Sequence, residues 1–140
     1  MNDSRPWCLL TGYPGFLGSR LYAFLSSRYT VHTLGLGPAE SPNHQMADLT
    51  RMVPRLADHK YDLVVHAAGK AHLVPKTEAE AKLFFQVNHQ GTLHLLQALE
   101  RLSDRPDAFV LISSVAVYGR DRGERIAENE SLAARDPYGV

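Results

Sequence analysis

The stretch LLTGYPGFLGSRL, Leu9 to Leu21, sets Gly12, Gly15 and Gly18 between a short apolar run and a segment of helical periodicity. Glycine weakens both helices and strands, so three of them at this spacing need a local reason. The flanks supply one. Trp7 to Thr11 (WCLLT) reads as a buried strand, and from Phe16 to Ser27 the residues Phe16, Leu17, Leu21, Phe24 and Leu25 recur at helical spacing. In an open parallel sheet, the turn between such a strand and helix is where ligands bind. Gly12 there can take the dihedrals of a tight turn, Gly15 lets a diphosphate approach the backbone, and Gly18 lets the helix pack close on the strand. The helix N-terminus then offers unpaired N–H groups to the anion. The G-x-x-G-x-x-G spacing is one residue wider than the commonest dinucleotide fingerprint, and no Lys-Ser/Thr pair ends it, which argues against an ATPase or GTPase.

The rest of the chain repeats the alternation. Thr30 to Leu34 (TVHTL) is a second β-rich run, and the loop-forming GLGPAESPNH follows it. A brief apolar piece ends in MADLT, with a short helix expected after it that Pro54 breaks or delays. Tyr61 to Ala68 (YDLVVHAA) has the near-continuous apolar character of a parallel strand covered on both faces. Thr77 and Glu80 have capping-box spacing, so a long helix can start there and run to about Leu102, where DRPDA ends it. Phe109 to Ser114 (FVLISS) reads as a further buried strand, and GRDRGERIAENESLAARDP as a surface loop whose DRGER charges are solvated. This order predicts an α/β fold: a Rossmann-type doubly wound parallel sheet with helices on both sides, in a single domain over residues 1–140.

Charge and cysteine usage narrow the partners. Fifteen basic and fifteen acidic side chains cancel, so no field of one sign would gather nucleic acid or an anionic membrane. A small molecule or a protein is the expected partner. Cys8 is the only cysteine, which excludes an internal disulfide and, with no export signal at the polar start and no apolar run of bilayer length, points to the cytoplasm.

On the long helix, Asn88 shares a stripe with Phe84, Gly91, Leu95 and Leu99. A buried amide without partners costs on the order of 1–3 kcal/mol, so Asn88 either fixes a loop carbonyl or serves an active site. His66 and His72 flank AAGK and read as satisfied polar residues near a strand end, since no other His, Cys or carboxylate completes a metal site.

In order and spacing, TGYPGFLG at Thr11 to Gly18, ADL at Ala47 to Leu49, VVHAAG at Val64 to Gly69, NHQGT at Asn88 to Thr92, ISSVAVYG at Ile112 to Gly119 and DPYG at Asp136 to Gly139 resemble the extended short-chain dehydrogenases/reductases, the NAD-dependent epimerase/dehydratase family. The resemblance implies an NAD or NADP cofactor and a nucleotide-diphosphate sugar substrate. It implies that Gly12, Gly15, Phe16, Leu17 and Gly18 hold the pyrophosphate, and that Asp48, beside Leu49, accepts from the adenine amino group. Ala67, Ala68 and Gly69 would pass under the nicotinamide-side ribose, and Asn88 would match the buried helix Asn near the active site. Ser114 would orient the reacting oxygen, and Tyr138 would be the catalytic acid/base and a cofactor contact.

Three departures qualify the pattern. Val115 and Ala116 stand where water-eliminating members carry Asp-Glu, which disfavours a 4,6-dehydratase and leaves an epimerase or 4-ketoreductase. At the end of the second strand, Gly35, Leu36 and Gly37 provide neither the acid of NAD-selective members nor an Arg for a 2′-phosphate. The family's Tyr-x-x-x-Lys lysine falls past Val140, so the chain is expected to be an incomplete N-terminal part that binds dinucleotide without turnover. The competing class is a non-catalytic NAD(P)-binding sensor or scaffold. Phe85, Leu93 and Leu96 form a second apolar stripe, and the family habit of pairing through this helix implies a homodimer in the full-length form.

Overall fold

The computed structural model describes residues 5–71 and 74–140, so His72 lies outside the described residues. Five strands, β1 (Trp7–Thr11), β2 (Thr30–Gly35), β3 (His44–Met46), β4 (Tyr61–His66) and β5 (Ala108–Leu111), form one sheet in the order β3-β2-β1-β4-β5. Every pairing is parallel. The chain builds outward from β1 to β3 and then crosses back to place β4 on the other side of β1. The strand order therefore reverses at β1, and a crevice opens beyond the carboxyl ends of β1 and β4. The expected Rossmann-type sheet is what forms.

Alternation along the strands divides the core in two. Leu9, Leu34 and Val64 face one side, where Leu95, Ala98 and Leu99 of the helix α3 (Gly91–Glu100) cover them. Cys8, Leu10, Val31 and Val65 face the other, against Leu25 of the helix α1 (Phe16–Leu25). The apolar residues of α1 are not all part of that contact. Gly18 and Leu25 are buried and Leu21 and Tyr22 half-buried, whereas Phe16 and Phe24 stand in solvent, the Phe24 ring carrying the Arg28 guanidinium at 4.7 Å.

The long helix begins where its capping residues place it. The Thr77 side chain accepts the Glu80 N–H at 3.2 Å, and the Glu80 carboxylate reaches back to the Lys76 N–H at 2.6 Å, one residue upstream of the usual reciprocal bond. It is not uniform, however. The helix α2 (Glu78–Phe84) passes into a π segment, Phe85–Gln90, before α3 continues to Glu100.

Two expectations need correction. No helix follows Leu49: residues 48–51 make a turn in which the Arg51 and Met52 N–H groups bond the Asp48 carbonyl, and residues 52–60 run without helix. Pro54 removes a donor there, and Leu56 is drawn into the core instead. The last strand is also not buried. β5 ends at Leu111, and all four of its residues are exposed, because it lies at the edge of the sheet, paired with β4 alone, and no described helix covers it. Leu95→Ala, at the centre of the larger core, is expected to cost about 2–5 kcal/mol in urea unfolding, and Phe24→Ala about 1 kcal/mol or less.

Candidate functional site

The glycine turn is built around one carbonyl group. Gly12 has φ +87°, a left-handed conformation that favours glycine, and its N–H bonds the Leu34 carbonyl at 3.0 Å. A Cβ on Gly12 would stand 2.7 Å from the Ala67 carbonyl and from the Ala68 nitrogen. The Gly12 carbonyl accepts the Gly15 N–H at 2.8 Å. Its oxygen lies 2.7 Å from where a Gly15 Cβ would be, and a Gly18 Cβ would overlap it. Gly15 is also the N-cap of α1, and no side chain caps that helix. The amides of its first turn, which includes Phe16 and Leu17, are thus left for solvent or an anion.

A cavity of about 290 Å³ lies beyond this turn, at the carboxyl ends of β1, β2 and β4. It brings together Gly12, Gly15, Asp48, Leu49, Ala68 and Gly69 of the sequence-predicted cofactor residues. Gly18 and Ala67 stand behind its wall through their contacts with the Gly12 unit, and Phe16 and Leu17 begin α1 without lining it. The Asp48 Oδ1 accepts from the Thr50 hydroxyl at 2.6 Å and the Thr50 N–H at 2.9 Å. The hydroxyl bond foremost holds the carboxyl below its ordinary range, so it is ionised. The Arg51 Nε lies 3.3 Å from Oδ2, and the carboxylate keeps lone pairs for a further donor.

Asn88 does not line the cavity, and it is half-buried rather than buried as its apolar stripe leads one to expect, because it lies in the π segment. Its Oδ1 accepts the Lys70 N–H at 2.7 Å and its Nδ2 donates to the Lys70 carbonyl at 3.0 Å. The amide thus clamps one backbone unit in both directions, immediately after Gly69. Gly91 packs against Leu49, yet a Cβ would meet the Leu49 Cβ at an ordinary 3.5 Å. Close approach does not require glycine at that position.

A second clamp was not anticipated beyond His66 being satisfied. Thr92 donates its hydroxyl to the Asn88 carbonyl at 2.6 Å, so its oxygen must accept from the His66 Nε2–H at 2.9 Å. With the proton on Nε2, His66 Nδ1 accepts from the Thr11 hydroxyl at 2.6 Å, and the Thr11 oxygen accepts the Ala68 N–H at 3.1 Å. Every donor in this chain has one acceptor. It runs from the cavity wall at Ala68 through the sheet to Asn88. Thr11 and His66 could have been found from one signal: polar side chains within apolar runs must meet partners when buried, whereas Thr92, half-buried in the polar stretch NHQGT, gives no such signal.

The expected catalytic pair lies apart from that cavity. Ser114 caps the short 3-10 turn Val115–Tyr118 by accepting the Ala116 N–H at 3.2 Å, a bond that uses a lone pair and leaves the hydroxyl proton to donate. Tyr138 packs edge-on against Phe84, with centroids 6.1 Å apart, and helps line a second cavity with Val74, Thr77 and Ala81. The two segments meet at Gly139, where a Cβ would come within 2.6 Å of the Ala116 carbonyl.

The model of the family described as NAD dependent epimerase/dehydratase matches residues 8–140. The chain belongs to that family. It is 33% identical over 133 residues to a GDP-6-deoxy-D-mannose reductase of Pseudomonas aeruginosa, covering 94% of this chain and 42% of that protein. It is also 31% identical over 157 residues to a UDP-glucose 4-epimerase of Mycoplasma pneumoniae, covering all of this chain and 46% of that one. The chain thus spans less than half the length of these relatives. A short-chain dehydrogenase/reductase superfamily protein from Agrobacterium tumefaciens, solved with bound NAD, aligns with a TM-score of 0.75 and 27% identity over 95% of this chain and 40% of that one. MoeE5 in complex with UDP-glucose and NAD has the same fold, with a TM-score of 0.75 at 24% identity over 96% of this chain and 44% of that one. Among the described residues, no helix of this chain is long and apolar enough to cross a membrane.

Two measurements test this geometry. Gly18→Ala is expected to lower the unfolding midpoint, because the new methyl overlaps the Gly12 carbonyl, whereas Gly91→Ala is expected to raise stability by about 0.5–1 kcal/mol, the usual advantage of alanine inside a helix. Burial pushes the His66 pKa down to about 4 from the ordinary 6.5. Between those values the unfolded chain binds a proton that the folded chain does not, so this contribution to stability, complete above pH 6.5, is lost as pH falls through 4. The stability of the wild type relative to His66→Gln is expected to fall by about 3 kcal/mol between pH 7 and pH 4, measured by urea unfolding at each pH.

Proposed function

We propose that this chain is the cofactor-binding part, carrying the catalytic tyrosine, of an enzyme that moves hydride between NAD or NADP and a nucleotide-diphosphate sugar, as a 4-epimerase or a 4-ketoreductase. The observation that carries the reading is the cavity at the strand-order reversal, where the uncapped start of α1, the ionised Asp48 and the Ala68–Gly69 backbone converge. Those groups suit a dinucleotide: amides for the diphosphate, a carboxylate acceptor for adenine, and bare backbone under a ribose.

In this reading Gly12 and Gly15 keep the wall open to the diphosphate, and Phe16, Leu17 and Gly18 present their N–H groups to it. Asp48, with Leu49 beside it, binds adenine. Ala67, Ala68 and Gly69 carry the ribose, and Asn88 holds their loop in place through Lys70. Bound there, the dinucleotide supplies hydride acceptance or donation at carbon. Tyr138, as the phenolate, takes the proton from the sugar hydroxyl as its carbon is oxidised, and as the phenol returns it in the reverse direction, while Ser114 donates to the same oxygen. Val115 and Ala116 offer no acid or base for removing water, which favours epimerisation or reduction over dehydration. Residues 1–140 are the cofactor domain of this enzyme, and the sugar-binding lobe is contributed by further sequence.

The second apolar stripe supports a two-fold partner. Phe85, Leu93 and Leu96 are 52%, 38% and 40% exposed, an apolar surface that suits a second copy of the chain.

The test is cofactor titration and turnover with a panel of UDP-, dTDP- and GDP-sugars in the full natural chain. Tyr138→Phe is expected to lower turnover by about 100-fold or more with cofactor affinity kept. Full activity in Tyr138→Phe would sink the catalytic assignment. Cofactor binding without turnover of any sugar would favour the sensor or scaffold reading instead.

A further inference from the structure

We infer that the adenosine end of the cavity does not select between a 2′-hydroxyl and a 2′-phosphate, so that NAD and NADP bind with similar affinity. The inference rests on the cofactor reading above and concerns its specificity. Selection at this point of a doubly wound sheet comes from charge. A carboxylate about 20 residues past the glycine turn binds the ribose diol and repels a phosphate, and an Arg nearby does the opposite. Here β2 ends in Gly35. A side chain cannot stand there, because a Cβ on Gly35 would overlap the Tyr13 carbonyl oxygen.

Tyr13 is itself fixed in that position. Its ring packs on Tyr22 at 4.8 Å and meets His44 edge-on at 6.2 Å, and its hydroxyl donates to the Glu40 carbonyl at 3.2 Å. The substitution of carboxylate by glycine is therefore built into the turn. The residues that follow, Leu36 and Gly37, line the cavity and carry no charge. His44 is close by, but both its ring nitrogens have partners, the Gly37 carbonyl at 2.8 Å and the Thr33 hydroxyl at 2.9 Å. Among the described residues, Asp48 is the one charged side chain in the cavity wall, and Arg51 sits against it. The wall thus presents no net charge to a phosphate or a diol.

Fluorescence titration of NADH and NADPH into the full natural chain tests this. The two dissociation constants are expected to agree within about tenfold, and a larger ratio in either direction overturns the inference. Failure of both dinucleotides to bind would overturn the cofactor reading itself, an outcome distinct from selective binding. Gly35→Asp is expected to destabilise the fold through the overlap with Tyr13. Leu36→Asp avoids that problem, since Leu36 is 73% exposed. In that variant the NADPH-to-NADH ratio of dissociation constants is expected to rise about tenfold or more, and Leu36→Arg to shift it the other way. An unchanged ratio in both variants would mean that the ribose does not lie beside Leu36, which also overturns the inference.

Discussion

The carbonyl oxygen of Gly12 is the point about which the site is assembled. One hydrogen bond, from the Gly15 N–H at 2.8 Å, closes the turn. The same oxygen occupies the space that side chains at 15 and 18 would need. The start of α1 is thereby pressed against the end of β1, and α1 meets the sheet at a distance that its Leu25 then fills from the other end. Glycine at 15 has two separable reasons. One is internal and visible in the turn, and the other is the approach of a diphosphate in the proposed cofactor reading. Glycine at 18 follows from packing alone. A larger residue at either position would push the helix away from the strand and move its free amides with it.

The loop after β4 forms the facing wall, and it depends on polar rather than apolar contacts. Asn88 holds Lys70 through two bonds, and the Thr11–His66–Thr92 chain holds Ala68. Thr11 and His66 are buried and the other groups half-buried, so breaking the bond between those two leaves a partner unsatisfied, which costs more than the bond contributes when made. A neutral His66 with its proton on Nε2 is the one form in which both Thr hydroxyls and the Asn88 carbonyl are served together. The positions of the cavity wall are in this way coupled to the protonation state of a residue that never reaches the cavity.

Much of this was legible in the sequence because it is governed by local spacing. WCLLT is the strand from Trp7 to Thr11, and Thr77 does cap a helix, since periodicity and capping act over a few residues. The expected helix after MADLT failed for a local reason too, as Pro54 and the demand of the core for Leu56 outweighed helical propensity. FVLISS looked buried because an apolar run states only that cover is needed, not that the chain in hand provides it. For the site, the glycines, Asp48 and Ala68–Gly69 could be grouped because family motifs fix their order. Their physical causes could not. That Gly35 makes room for the Tyr13 carbonyl, or that Asn88 spends its amide on Lys70, is set by contacts across 18 or more residues of sequence.

The helix that carries Asn88 shows what periodicity alone misses. A straight α-helix would align Phe84, Asn88, Gly91, Leu95 and Leu99 on one face toward one core. In the fold, Leu95 and Leu99 join Leu9 and Val64 on the sheet, while the equally buried Phe84 takes no part in that cluster and instead meets Lys70 at 5.5 Å and Tyr138 at 6.1 Å. The π segment from Phe85 to Gln90 separates the two groups. Its i→i+5 bonding places more residues in each turn than the 3.6 of an α-helix, so the face before it is rotated relative to the face after it. One continuous helix can then anchor to the sheet with its last three turns and turn its first toward Tyr138. Asn88 lies within the segment where the rotation occurs, and from there its amide reaches the Lys70 backbone.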